Sequence, residues 1–154
     1  MQELVHRINV LLKPKEPNNK KAPKNLVDQV IDLYRLGNIQ ATLSQSKRLI
    51  QTYPKTSILH NVIGACFSHT GQFEKALFHF KQSLKLNPSD PIAYNNLGNV
   101  LIDLKLFDES QKLFEHAIKI NPNFAEAYNN LGNALKEQEI YEKAIPYYKK
   151  AIEL

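Results

Sequence analysis

A single cysteine, Cys66, stands among the 154 residues of the chain. No intramolecular disulfide can form, so the fold does not depend on an oxidising compartment, and the expected role of the thiol is that of a small buried hydrophobe. Glycine and proline are also scarce, at five and eight residues, too few for a disordered tract. No apolar run reaches the length of a membrane span. Ile8 to Leu12 is too short even for the apolar stretch of a secretory leader, and an acid, Glu3, opens the chain. The expectation is a cytoplasmic protein that does not enter a membrane. Catalytic motifs are missing as well: there is no phosphate-cradling glycine loop, no HExxH, no pair of cysteines and no nucleophile elbow. The sequence therefore predicts no enzyme activity, no cofactor and no metal.

Charge is present but unevenly placed. Residues 1–24 carry Arg7, Lys13, Lys15, Lys20, Lys21 and Lys24 against Glu3 and Glu16, a balance of +4 out of the whole chain's +5. The remaining body is close to neutral, which argues against nucleic acid as its partner. Within the basic segment, Leu4, Val5, Ile8, Leu11 and Leu12 share one helical face, predicting a short amphipathic helix over 1–12. Lys13 to Lys24 holds three prolines and no large apolar residue, predicting an exposed basic linker over 13–22.

The rest of the chain is periodic. Ala93-Tyr94-Asn95-Asn96-Leu97-Gly98-Asn99 returns, residue for residue, as Ala127-Tyr128-Asn129-Asn130-Leu131-Gly132-Asn133, an offset of 34 residues. A fixed period of this size signals a stack of small units. The frame gives units 23–56, 57–90, 91–124 and 125–154, the last cut short. Position 4 of the frame is Leu26, His60, Tyr94 and Tyr128; position 7 is Gln29, Ile63, Leu97 and Leu131; position 8 is Val30, Gly64, Gly98 and Gly132. Position 11 is Leu33, Phe67, Leu101 and Leu135, position 17 is Ile39, Phe73, Phe107 and Tyr141, and position 24 is Ser46, Phe80, Phe114 and Tyr148. Spacings 4, 7, 8, 11 mark one face of a first helix, and 17, 20, 24, 27, 28 one face of a second. Small residues at 8 and 20 let the backbones approach, and Pro54, Pro88 and Pro122 at position 32 stop the second helix.

This pattern resembles the tetratricopeptide repeat, whose 34-residue units carry W-x2-L-G-x2-Y, A-x3-F and P in that order. The resemblance spans 23–154 and is weakest in the first unit, where Val30, Gln29, Thr42 and Ser46 replace the expected residues. It implies an all-α, right-handed solenoid of antiparallel helix pairs. Two local features run against the pattern. Lys105 and Glu139 stand where the earlier units have Gly37 and Gly71, and Pro146 falls inside the last helix. The last helix is therefore expected to be the least stable element.

In tetratricopeptide proteins the concave groove is lined by positions 2, 5, 6, 9, 12 and 13 of the first helices. Carried over, the resemblance puts Asn61, Asn95 and Asn129 (position 5), Asn96 and Asn130 (position 6) and Asn99 and Asn133 (position 9) in a peptide-binding groove, with Tyr34, Ile58 and Ile92 adding apolar contact. Asparagine is a poor helix former, but its carboxamide both donates and accepts, which suits capture of an extended backbone. Asn96 and Asn130 also match the asparagine ladder of O-linked N-acetylglucosamine transferase repeats. The alternative is that these amides bridge adjacent units. Lysines at positions 5 and 9, which the family uses to clamp chaperone C-termini, are absent. The expected partner is a protein or peptide. Two other readings stand beside it: a non-catalytic leading segment of a larger sulfotransferase, glycosyltransferase or oxygenase, and homo-oligomerisation through the uncapped fourth unit.

Overall fold

The structure is a computed structural model and describes residues 20–154. The helix expected over 1–12 and most of the basic linker lie outside the described residues. Eight helices follow one another: α1 (Lys24–Arg35), α2 (Ile39–Thr52), α3 (Ser57–His69), α4 (Phe73–Leu86), α5 (Pro91–Asp103), α6 (Phe107–Ile120), α7 (Ala125–Glu137) and α8 (Tyr141–Glu153). There is no strand among the described residues. The architecture is an all-α solenoid.

Each helix pair turns back through the same left-handed corner. The corner residues are Gly37 (φ 73°), Gly71 (φ 70°), Lys105 (φ 60°) and Glu139 (φ 62°). The next amide then reaches back five residues, from Asn38 to the Leu33 carbonyl, Gln72 to Phe67, Leu106 to Leu101 and Ile140 to Leu135, at 2.8 to 3.0 Å. These bonds satisfy carbonyls that the helix end would leave orphaned. The corner therefore needs positive φ in all four units, and the two later ones hold a side chain there at a cost of roughly 1 kcal/mol each. Pro146 does not break α8, which runs on to Glu153 with the proline exposed.

Inside each pair the close approach is set by a ring against a glycine. A Cβ on Gly64 would meet the Phe80 ring at 2.7 Å, one on Gly98 the Phe114 ring at 2.6 Å, and one on Gly132 the Tyr148 ring at 2.8 Å. The first unit reverses these volumes, with Val30 opposite Ser46 in the frame and both fully buried. Its departure from the pattern is thus a swap of large and small rather than a loss of packing. The swap leaves one flaw: the Ser46 hydroxyl is buried without a partner.

Between units, positions 3, 7 and 10 of each first helix press on the preceding pair. Leu59, Ile63, Cys66, Ala93, Leu97, Val100, Ala127, Leu131 and Ala134 are all buried. Periodicity had marked only position 7 of these three, because small residues such as Ala93 and Ala134 blur the apolar stripe. In the first unit the same positions are Asn25, Gln29 and Asp32, all exposed. Its outer face is polar, as a solenoid end requires. Ala22, at the end of the basic stretch, is already tied to the array: its amide donates to Thr56 Oγ1 at 2.8 Å.

Candidate binding groove

Contacts between units are lopsided. α1 touches α3, α3 touches α5 and α5 touches α7, whereas no second helix packs on another second helix among the described residues. Closer spacing of the first helices curves the array so that they line its inner surface. The groove is therefore an outcome of which helices touch, and side chains of α1, α3, α5 and α7 furnish it.

The seven asparagines separate into three environments. Asn61 and Asn95 are 7% and 1% exposed and lie between units. Asn96 Nδ2 donates to Asn61 Oδ1 at 3.1 Å, and Asn130 Nδ2 donates to Asn95 Oδ1 at 3.0 Å. Asn95 Nδ2 in turn donates to Glu126 Oε1 at 2.8 Å. Position 5 of one unit thus bonds to position 6 of the next. This corrects the placement of Asn61 and Asn95 in the groove: both are buried between units, Asn95 with its oxygen and its amide each bonded and Asn61 with its oxygen bonded, which leaves no room for a peptide. The corresponding pair at the start of the array is Val27 and Val62, apolar on both sides. Asn129, at position 5 of the last unit, is exposed on the far end of the array rather than in the groove.

Asn96, Asn99, Asn130 and Asn133 remain partly open. Asn96 and Asn130 have used an amide hydrogen and keep their carbonyl oxygens. Asn133 accepts from the Tyr148 hydroxyl at 2.9 Å and keeps its NH2. Asn99 makes no side-chain bond within the described chain. Asn96 and Asn99 line a pocket of about 220 Å³ with Tyr34, Ala65, Ser68 and His69. Ser68 and His69 lie at positions 12 and 13, inside the family's groove set, but neither residue type had drawn attention to itself. Tyr34 packs its ring against the core, and burial, followed by the neighbouring Cys66, pushes its hydroxyl above the usual range. Cys66 is itself fully buried, with its thiol pushed up to about 11 by desolvation, and is inert.

His60 and His79 meet, Nδ1 to Nδ1 at 3.2 Å, with ring centroids 5.4 Å apart. Position 4 of α3 and position 23 of α4 point into one space across the antiparallel pair, a contact that frame positions on a single helix do not reveal. The rings sit beside Phe67, over which the Lys47 and Lys75 ammonium groups lie at 5.3 and 5.4 Å. Burial lowers His60; burial, His60 and then Lys47 lower His79 to about 4. The pair is neutral, one imidazole donating to the other. No group of three or more metal-ligating side chains occurs among the described residues.

Sequence models of the tetratricopeptide repeat match residues 90–154 and residues 69–105, together more than half of the chain. The chain belongs to the tetratricopeptide repeat family. No curated protein matches the sequence. Among solved structures, crystal structures of MamA share its fold; one superposes with a TM-score of 0.73 at 21% identity over 97% of this chain and 85% of the other. The Thermobaculum terrenum O-GlcNAc transferase mutant K341M gives 0.70 at 24% identity, covering 73% of this chain and 22% of that protein. The first tetratricopeptide domain of Spaghetti (RPAP3), bound to the HSP90 peptide SRMEEVD, gives 0.68 at 19% identity over 74% and 90%. At these identities the likeness is one of fold. No described helix of this tetratricopeptide chain is long and apolar enough to cross a membrane.

Proposed function

We propose that this chain is a non-catalytic, cytoplasmic interaction scaffold that holds an extended peptide of a partner protein in its concave groove. The observation that carries the reading is the set of carboxamides left open there. Asn99 offers both donor and acceptor, Asn96 and Asn130 offer carbonyl oxygens, and Asn133 offers its NH2. Such a row matches the alternating N–H and C=O groups of a peptide backbone without demanding particular side chains. Tyr34 and Ala65 supply apolar contact at one end of the row. Of the residues first expected to bind, Asn61 and Asn95 serve the array instead.

Capture of a chaperone C-terminus is disfavoured because positions 5 and 9 carry no lysine. The test is selection from a peptide library with wild type and with the Tyr34→Ala/Asn99→Ala variant. Peptides that bind wild type and lose at least about tenfold in affinity with the variant support the reading. Equal binding to both proteins, or none to either, sinks it.

A second reading makes these residues the scaffold segment of a larger enzyme. It is supported by the transferase neighbour, of which the matching repeats are only 22%. The sequence adjoining residue 154 in the genome decides it: an open frame running into a transferase or oxygenase domain supports this reading, and a stop codon removes it.

A further inference from the structure

Another pocket lies on the outer surface, between the second helices α2 and α4. It holds about 400 Å³ and is lined by Lys47 from α2, Phe67 from α3, and Glu74, Lys75, Phe78 and His79 from α4. The Phe67 ring, 7% exposed, is its floor. His79 stands 5.6 Å from Phe67 between ring centroids, and Phe78 meets His79 edge-on at 5.2 Å. Phe78 is nevertheless 58% exposed, so most of its apolar surface faces water and adds little to the fold. The Lys47 and Lys75 ammonium groups lie 5.3 and 5.4 Å from the Phe67 centroid. Neither pairs with a carboxylate among the described residues; Lys75 donates instead to Gln72 Oε1 at 2.7 Å. Since His79 is neutral, the two lysines set the positive charge of the rim.

The repeat supplies a control. The same corner recurs between α4 and α6 and between α6 and α8, and packing asks the same of all three. Position 11 is apolar each time, as Phe67, Leu101 and Leu135. Position 22 is Phe78, Lys112 and Pro146, all exposed, so the fold does not require a ring there. Charge at positions 18, 19 and 22, and at 25 of the preceding unit, changes as well. The first corner sets Lys47 and Lys75 against Glu74, the second balances Lys81 and Lys112 against Asp108 and Glu109, and the third sets Lys143 against Glu115 and Glu142. An exposed aromatic and an excess of positive charge coincide only in the first, and packing explains neither.

We propose that this corner binds a segment of a partner protein in which one aromatic side chain stands among aspartates and glutamates. The aromatic side chain packs against Phe67 and Phe78, where edge-on and offset ring contacts are favourable. Carboxylates on either side of it pair with Lys47 and Lys75. Glu74 leaves an excess of one positive charge, so ring contact as well as charge must select the segment. A free aromatic acid fits less well, because the pocket is open along its outer side whereas small-molecule sites enclose most of their ligand.

The test uses full-length protein and short labelled peptides of Asp and Glu carrying a single Phe, Tyr or Trp, read by fluorescence anisotropy. Binding is expected for aromatic members of the set, weakening as salt is raised. Phe78→Ser and Lys47→Gln/Lys75→Gln should each weaken it at least about tenfold. All three positions are exposed, so the variants keep their helicity, which circular dichroism checks. No binding by any peptide, equal binding by wild type and both variants, or equal binding of peptides whose aromatic is replaced by Ser would each overturn the proposal. So would phenylacetate binding as tightly as the best peptide. The groove variant Tyr34→Ala/Asn99→Ala leaves this binding unchanged, so the two readings fail separately.

Discussion

Replacing Gly98 by alanine tests the packing rule on which the array is built. The added Cβ would lie 2.6 Å from Phe114 Cε1 and 2.8 Å from Cζ, so the ring must retreat by about 0.8 Å to regain an ordinary 3.4 Å contact. Phe114 is fully buried and has nowhere to retreat. Two effects compete. Alanine favours the helix by about 1 kcal/mol over glycine, whereas overpacking a closed core costs typically 1–3 kcal/mol and more when no rotamer relieves it. The clash is severe enough for the second to win, and a net loss of about 1–2 kcal/mol is expected. Gly132→Ala is the internal control: it meets Tyr148 at 2.8 Å, but that ring is only half-buried and can swing outward. Its net effect is expected to be near zero. Gly98→Ala/Phe114→Leu should recover much of the loss, as Val30 with Ser46 shows that the volumes can be exchanged. Urea unfolding followed by circular dichroism reads all three. A Gly98→Ala protein as stable as wild type, or a Gly132→Ala protein that loses as much, would refute the reasoning.

Lys105→Gly and Glu139→Gly should each stabilise by up to about 1 kcal/mol in the same assay, because both corners hold positive φ. Asn61→Val alone should cost about 1 kcal/mol by removing the acceptor of the half-buried Asn96 amide, while Asn61→Val/Asn96→Val, which copies Val27 and Val62, should be close to neutral. Acid should weaken the fold through His79. Its folded-state value of about 4 lies below the ordinary 6.5, so the unfolded chain takes up the proton first; stability is full above pH 6.5 and falls between 6.5 and 4. After allowance for solvent screening the loss is roughly 1–2 kcal/mol. Comparing melting at pH 7 and 4.5 for wild type and His60→Leu/His79→Leu isolates it from Lys47, Glu74 and Lys75 nearby; an identical acid shift in both proteins would rule it out.

The period of 34 residues, the helix pairs and the small residues that let them approach could be read from the chain, because side chains at fixed spacing on one helix must share a face; that each glycine at position 8 faces the ring at position 24 emerged only from the packed pair. The turn chemistry was legible too, since Gly37 and Gly71 announce the positive φ that Lys105 and Glu139 then adopt. What a linear frame cannot carry is which helix comes next to which. The touching of α3 with α5 and of α5 with α7 turned Asn61 and Asn95 inward, into bonds with Asn96, Asn130 and Glu126, and left Asn96, Asn99, Asn130 and Asn133 for the groove. The meeting of His60 with His79 arose in the same way, from two helices crossing at one height. Repetition along the chain determined the fold, since every unit buries the same face; the groove depends on contacts between units, whose geometry exists only after the units have stacked.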